Sequence, residues 1–282
     1  MKILGIESSG LAASVACVEG ELLKAEFTIN NRMTHSETLL PMLEQMMRLL
    51  GEELASIDAV AVSAGPGSFT GLRIGAATAK GLGLALNKPL IKVSSLAALA
   101  YNLNACGTET VVCPMMDARR GQVYCAAYQA GLEIFPEQAC SIRSFLEALN
   151  SLPEKETLEF VFLGDGVPVH ADTIALELSG NFSFASAENS RQRAASVAVL
   201  GGLYYGKWLR THGITAEEVR TNGADAVGCF DQIVMNSDDF VPEYLRKPQA
   251  EQELHSGLLE DPGQHSLKKI AKGDRHAARG RA

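Results

Sequence analysis

Residues 2–29 read KILGIESSGLAASVACVEGELLKAEFTI. Three short apolar runs, Lys2–Glu7, Ser14–Glu19 and Leu22–Ile29, are separated by the turn signals Ser8-Ser9-Gly10 and Glu19-Gly20. Apolar runs of this length bounded by Gly and Ser are strand signals, so the stretch predicts a three-strand meander. A helix is expected next around Glu37–Leu50, then a strand at Ala59–Ser63 and a Gly-rich loop. A helix from about Gly71 to Leu86, a strand at Leu90–Val93 and a helix from Ser95 to about Asn102 complete the series. Strands alternating with helices imply an α/β layer with parallel strands beside the meander.

The same order begins again at Thr110. Thr110–Asp117, Gly121–Gln129 and Leu132–Phe135 read as strands, Ser141–Leu149 as a helix and Glu159–Leu163 as a strand before the loop Gly164-Asp165-Gly166. Glu7 and Asp117 hold equivalent places, each closing a first strand before a polar turn. The pattern predicts a duplicated βββαβα unit in two lobes, residues 1–104 and 105–246, with a boundary near Asn104–Thr108. A last long helix is expected at Arg193–Arg210, with Leu200, Leu203 and Tyr204 inward. Beyond Pro248 the apolar periodicity fades, so residues 247–282 are expected to be a mobile basic tail.

Composition narrows the function classes. Apolar residues make up 46% of the 282 and charged residues 21%, enough for a real core and unlike disordered or fibrous chains. The longest apolar runs, such as Leu96–Tyr101, fall far short of the ~18 residues that span a bilayer. The opening Met1-Lys2-Ile3-Leu4-Gly5-Ile6-Glu7 meets an acid at once and offers no signal-peptide core, so a soluble cytoplasmic protein is expected. Cys17, Cys106, Cys113, Cys125, Cys140 and Cys229 contain no C-x-x-C pair, and small buried hydrophobes in a reducing compartment are expected. The net charge of −8 argues against a body that binds nucleic acid unaided. Residues 247–282 carry +2, and Lys268, Lys269, Lys272, Arg275, Arg279 and Arg281 could touch nucleic-acid phosphates, although an idle solvated extension is the simpler reading.

The strongest local signal is Ala61-Val62-Ser63-Ala64-Gly65-Pro66-Gly67-Ser68-Phe69-Thr70-Gly71-Leu72-Arg73. A strand runs through a glycine turn into a helix, the place where backbone N–H groups can cradle an anion. No Gly-Lys-Ser/Thr closes it, and Gly67 and Gly71 are one residue too far apart for a dinucleotide fingerprint. Spacing alone favours a tight turn over a phosphate site. In the following helix Gly71, Gly75, Ala79 and Gly83 recur every fourth residue, leaving one face nearly bare. That face suits either packing against the sheet or a close helix–helix contact with a partner. On Glu37–Leu50 the residues Leu39, Leu40, Met42, Leu43, Met46, Met47, Leu49 and Leu50 cover an arc of about 180°, wider than the ~100° a helix on one sheet needs. The excess, with its methionines, points to an adaptable contact surface. Pro41 must sit in the first turn or kink this helix.

Candidates for catalysis are thin. His35, Ser36 and Glu37 are sequence neighbours that do not face each other on a helix, and read as a helix start. Asp117 with Arg119, and Asp165 between its glycines, could hold a metal or phosphates or could cap turns. No H-E-x-x-H and no Gly-x-Ser-x-Gly occurs.

Together these segments resemble the TsaB (YeaZ) family. The resemblance is carried by Ile3-Leu4-Gly5-Ile6-Glu7-Ser8-Ser9, Arg32–Pro41 and Gly65–Gly75, and in order by Ala79-Lys80-Gly81-Leu82, Met116–Arg119, Gly164–Gly166 and Pro242–Arg246. It implies the duplicated fold of the actin, sugar-kinase and heat-shock-chaperone group, which is ribonuclease H-like. It implies a non-catalytic subunit without cofactor or metal, which binds and activates the TsaD transferase. The TsaE ATPase joins the pair, and the complex forms N6-threonylcarbamoyladenosine at position 37 of tRNAs reading ANN codons. The family's pairing surface is its first two helices, here carrying Ser36, Leu39, Leu43, Met46, Met47 and Leu50, then Gly71, Leu72, Gly75, Ala76, Ala79, Lys80 and Gly83. On that reading Ala79→Leu blocks pairing and spares the fold. The same surface would suit a homodimer of the isolated chain. Glu7, Ser8, Ser9, Gly65, Gly67, Asp117, Gly164, Asp165 and Gly166 would be vestigial phosphate loops, because Glu7 stands where the family has Asp. The alternative is a small-molecule kinase using ATP-Mg; Ser9 and Arg119, where such kinases have glycine, count against it. A protease reading finds no triad.

Overall fold

The computed structural model describes residues 1–31, 33–153, 155–224 and 230–246; the tail expected at 247–282, Arg32 and Cys229 lie outside these described residues. Strands β1 (Lys2–Glu7), β2 (Ala13–Glu19) and β3 (Leu22–Ile29) form the antiparallel meander. β1 then pairs in parallel with β4 (Ala59–Gly65), and β4 with β5 (Leu90–Ser94). In the second sheet β6 (Thr110–Asp117), β7 (Gln122–Gln129) and β8 (Leu132–Ser141) repeat the meander, with β9 (Glu159–Leu163) and β10 (Asn181–Phe184) parallel to β6. The strand orders, β5-β4-β1-β2-β3 and β10-β9-β6-β7-β8, are the same, with β11 (Val234–Met235) added beside β5. The duplicated two-lobe α/β architecture is present, and the repeat is longer than expected.

The helices are α1 (His35–Leu50), α2 (Phe69–Leu86), α3 (Ser95–Tyr101), α4 (Ile142–Asn150), α5 (Val167–Glu177), α6 (Ala194–His212) and α7 (Ala216–Asn222). Each lobe therefore reads βββαβαβα. Local chemistry explains the helix starts. Glu37 accepts from the Thr34 N–H at 3.1 Å and its hydroxyl at 2.8 Å before α1, and Ser68 Oγ accepts the Gly71 N–H at 3.2 Å at the head of α2. Pro41 lies inside α1, past the first turn, and leaves the Glu37 carbonyl without an i+4 donor.

Four elements were not expected. Pro168 opens α5, and α7 carries a capping box in which Glu218 accepts the Thr215 N–H at 2.7 Å and hydroxyl at 2.8 Å. β10 and β11 are short edge strands. β8 runs on past Pro136 to Ser141 because it is an edge, where proline removes no ladder bond. Of the stripe expected on α6, Leu200 is buried and Tyr204 packs against the core, but Leu203 is 55% exposed; Val197, Ala198, Tyr205 and Trp208 also point inward.

Each sheet is covered on both faces. α1 and α2 cover one face of the first sheet, packing Leu39, Leu43, Met46 and Met47 on Leu4, Ile6, Val60 and Val62. α4 and α5 cover one face of the second, with Phe145 and Ile174 on Val111, Phe160 and Phe162. The remaining faces are covered by an exchange. α6, from the second half, packs Val197, Ala198, Tyr205 and Trp208 on Ile3, Ala61, Ile91 and Val93 of the first sheet. α3, from the first half, packs Leu96 and Leu99 on Val112, Met116 and Leu163 of the second. Residues 1–245 accordingly form one compact unit. Among the described residues no helix is long and apolar enough to cross a membrane.

Candidate functional site

Two candidate surfaces follow from this frame: the loops at the ends of β1, β4, β6 and β9, and the outer side of α1 and α2.

The β1–β2 turn fills the loop after β4. The Ser68 N–H donates to the Ser9 carbonyl at 2.7 Å, and Ser8 Oγ donates to the Gly71 carbonyl at 2.9 Å. A Cβ on Gly67 would lie 2.4 Å from the Ser9 carbonyl oxygen, and one on Gly71 2.1 Å from that of Ser8. These glycines are needed for close approach by the chain's own backbone. His35 Nε2 hydrogen-bonds the Gly10 carbonyl at 3.0 Å, tying the head of α1 to the same turn. The loop is the tight turn that spacing favoured.

Glu7 lies beneath it, fully buried. Its Oε1 accepts the N–H and the hydroxyl of Ser9, each at 2.6 Å, while Oε2 has no hydrogen-bond partner. Burial pushes its carboxyl up to about 7, with the Asp165 charge adding a smaller push, and the Ser9 hydrogen bonds oppose the rise. In the second lobe the acids cap turns. Asp117 accepts the Arg119 N–H at 2.8 Å, and Asp165 accepts the Asp117 N–H at 3.2 Å. Burial raises the Asp165 carboxyl as well. Gly164 and Gly166 lie against the carbonyl of Met115, the latter donating to it at 3.2 Å.

The helix pair corrects the residue-level expectation. Leu39, Leu43, Met46, Met47, Leu72, Ala76 and Ala79 are buried in the chain's own core, and Leu50 packs against it. Gly71, Gly75 and Gly83 face Ser8, Ser237 and Leu90 of the same chain. The bare face of α2 therefore serves packing, and leucine at Ala79 would overpack the core instead of blocking a contact. What the pair presents outward is Ser36, Leu40, Glu44 and Leu49 on α1, and Arg73, Ala77, Gly81, Leu84 and Ala85 on α2. A Cβ on Gly81 would meet nothing within 4 Å. The signal for these residues was in the sequence: Leu40 and Leu49 are the edges of the over-wide arc, and Ala77-Gly81-Ala85 is a second small stripe two residues round from the first.

A strap that the sequence did not reveal borders this surface. The Lys80 ammonium donates to the carbonyls of Asp238 at 3.1 Å and Phe240 at 3.3 Å. The Glu243 N–H donates to the Ala64 carbonyl at 2.7 Å, and the Tyr244 ring lies 4.9 Å from the Phe69 ring, over which the Arg73 guanidinium sits at 4.3 Å.

The fold and these loops define a two-lobed α/β protein whose anion-loop positions are occupied by its own backbone. A family model described as TsaD: tRNA N6-adenosine threonylcarbamoyltransferase matches residues 25–254. The tRNA threonylcarbamoyladenosine biosynthesis protein TsaB of Bacillus subtilis is 30% identical over 230 residues, 80% of this chain and 97% of that protein. The Escherichia coli TsaB is 40% identical over 129 residues, 46% of this chain and 55% of that one. The solved YeaZ of Pseudomonas aeruginosa is 25% identical with a TM-score of 0.58, over 77% of this chain and 96% of that one. The chain belongs to the TsaB (YeaZ) family, within the reach of the TsaD family model.

Proposed function

We propose that this chain is a non-catalytic subunit of a complex that forms N6-threonylcarbamoyladenosine at position 37 of tRNAs reading ANN codons. It binds a TsaD-type transferase through the outward side of α1 and α2 and activates it, with a TsaE-type ATPase joining the pair. In isolation the same side pairs two copies of the chain. The observation that carries this reading is the filling of the loop after β4 by Ser8 and Ser9, which engages the Ser68 amide and the Gly71 carbonyl within the chain. A kinase would need that loop for phosphate, so the ATP-Mg reading loses support, and the loops around Glu7 and Asp117 are vestigial. The outward stripe of Ala77, Gly81 and Ala85, with the exposed Leu84 beside it on the same helix, supplies the small-residue surface that close helix pairing needs.

The test is product formation on unmodified tRNA, with TsaD, TsaE, ATP and threonylcarbamoyl-adenylate supplied, with and without this chain. Product is expected only when the chain is present; equal product without it would overturn the reading. Gly81→Leu is expected to keep the fold, with a melting temperature no lower than that of the wild type, and to weaken TsaD binding by about tenfold or more, as a bulky residue at the centre of a tight contact does.

A further inference from the structure

We propose that Cys125 and Cys140 form a peroxide-responsive dithiol that closes to an intramolecular disulfide between β7 and β8. Both cysteines are free thiols, and both lie on the sheet face packed under α4, Cys125 within the core cluster and Cys140 against it. The register places Val123 opposite Cys140 and Cys125 opposite Gln138, so the two are diagonal neighbours on one face. Diagonal pairs in a regular ladder stand too far apart to bond. Here the register slips between Cys125 and Ala127, and a bulge raises the local twist, which swings Cys125 toward Cys140. Their sulfurs meet at 3.4 Å. Closing that contact to a covalent bond asks each sulfur to move by less than about 1 Å.

The two thiols are unequal in the way such a pair requires. Cys125 is fully buried, whereas Cys140 is partly exposed near the edge of the sheet. The hydrogen bond from Cys125 holds the Cys140 thiol below its usual range, and the same bond together with burial pushes Cys125 up. Cys140, the more exposed of the two, is therefore the thiol that a small oxidant reaches, and Cys125 is the resolving thiol behind it. In the first step the Cys140 thiolate attacks one oxygen of the peroxide. The O–O bond breaks, hydroxide leaves, and Cys140 becomes a sulfenic acid. In the second, Cys125 Sγ loses its proton and displaces the sulfenic hydroxyl as water, forming the S–S bond. The peroxide has gained two electrons and the two thiols have lost them; a dithiol reductant reverses the change.

The experiment uses the full chain, hydrogen peroxide and peptide mapping under non-reducing conditions. Expected is a loss of two titratable thiols, one linked peptide pair containing Cys125 and Cys140, and full recovery with dithiothreitol. Cys125→Ala should leave Cys140 as a sulfenic acid that dimedone labels, and Cys140→Ala should show neither disulfide nor label at Cys125. Cys106, the other partly exposed cysteine among the described residues, serves as the internal control. Retention of all thiols in the wild-type chain, or a link that involves Cys106 instead, overturns the proposal. Mapping of the wild-type chain decides the matter even if the buried Cys125→Ala variant folds poorly.

Discussion

Glu7 concentrates the chemistry of the first lobe in one carboxyl. Its titration is moved up to about neutral pH because burial penalises its charge more than the two Ser9 hydrogen bonds favour it. A carboxyl raised from 4.5 to about 7 on folding binds its proton more tightly in the native state. The stability this contributes is fully present below 4.5 and is lost as pH rises through 7. At one pKa unit per 1.36 kcal/mol, the loss amounts to at most about 3 kcal/mol. Glu7→Gln keeps the acceptor for Ser9 and removes the titration. The variant should match the wild-type melting temperature near pH 5 and exceed it near pH 8. Taking the difference between the two proteins cancels Glu137, whose carboxyl is also raised by burial. Parallel pH profiles for the two proteins would show that Glu7 is solvated in solution. Glu7 itself was legible as the acid that closes the first strand. Its missing partner at Oε2 was not, since that depends on which backbone fills the space above it.

On α2 the same substitution should have opposite signs on opposite faces. Gly71→Ala would place a Cβ 2.1 Å from the Ser8 carbonyl oxygen, on backbone that the Ser8 hydroxyl also anchors. Overpacking of that kind costs about 2–3 kcal/mol. Gly81→Ala meets open space and should stabilise the chain by about 0.8 kcal/mol, the helix propensity difference. Denaturant unfolding of the two variants measures both, and equal effects would mean that the inward and outward faces are wrongly assigned. The existence of α1 and α2 was legible from period and caps, because Thr34, Glu37 and Ser68 act within one turn. Their facing was not. A glycine stripe announces that something approaches closely, but only the position of the β1–β2 turn reveals that the approaching group belongs to the same chain. α7 carries a local start signal in Thr215 and Glu218 that the sequence reading passed over, whereas β10 and β11 carry edge pairings with no periodicity to read.

At the scale of the whole molecule the exchange of α3 and α6 governs how the halves depend on each other. The two βββαβα patterns were readable because alternation and turn residues are local. The exchange was not, since nothing in Ala194–His212 distinguishes a helix bound for its own sheet from one bound for the other. The face of the first sheet bearing Ile3, Ala61, Ile91 and Val93 is buried by Val197, Ala198, Tyr205 and Trp208. The fit is close, for a Cβ on Gly5 would lie 2.3 Å from the Ala194 carbonyl oxygen. Residues 1–104 alone would expose that face, and an apolar sheet face open to water is not compatible with a stable domain. The isolated fragment 1–104 should therefore show no cooperative unfolding, and adding fragment 105–282 should restore it. Trp208, the single tryptophan, reports on the exchange directly: it belongs to the second half of the sequence but stacks with Tyr205 and Phe230 over the first sheet. In the intact chain its fluorescence should change in the same transition as the far-ultraviolet circular dichroism, which senses both sheets. Two separated transitions, or a fragment 1–104 that melts cooperatively by itself, would mean that α6 is a removable cover. The folding unit would then be the lobe instead of the whole of residues 1–245.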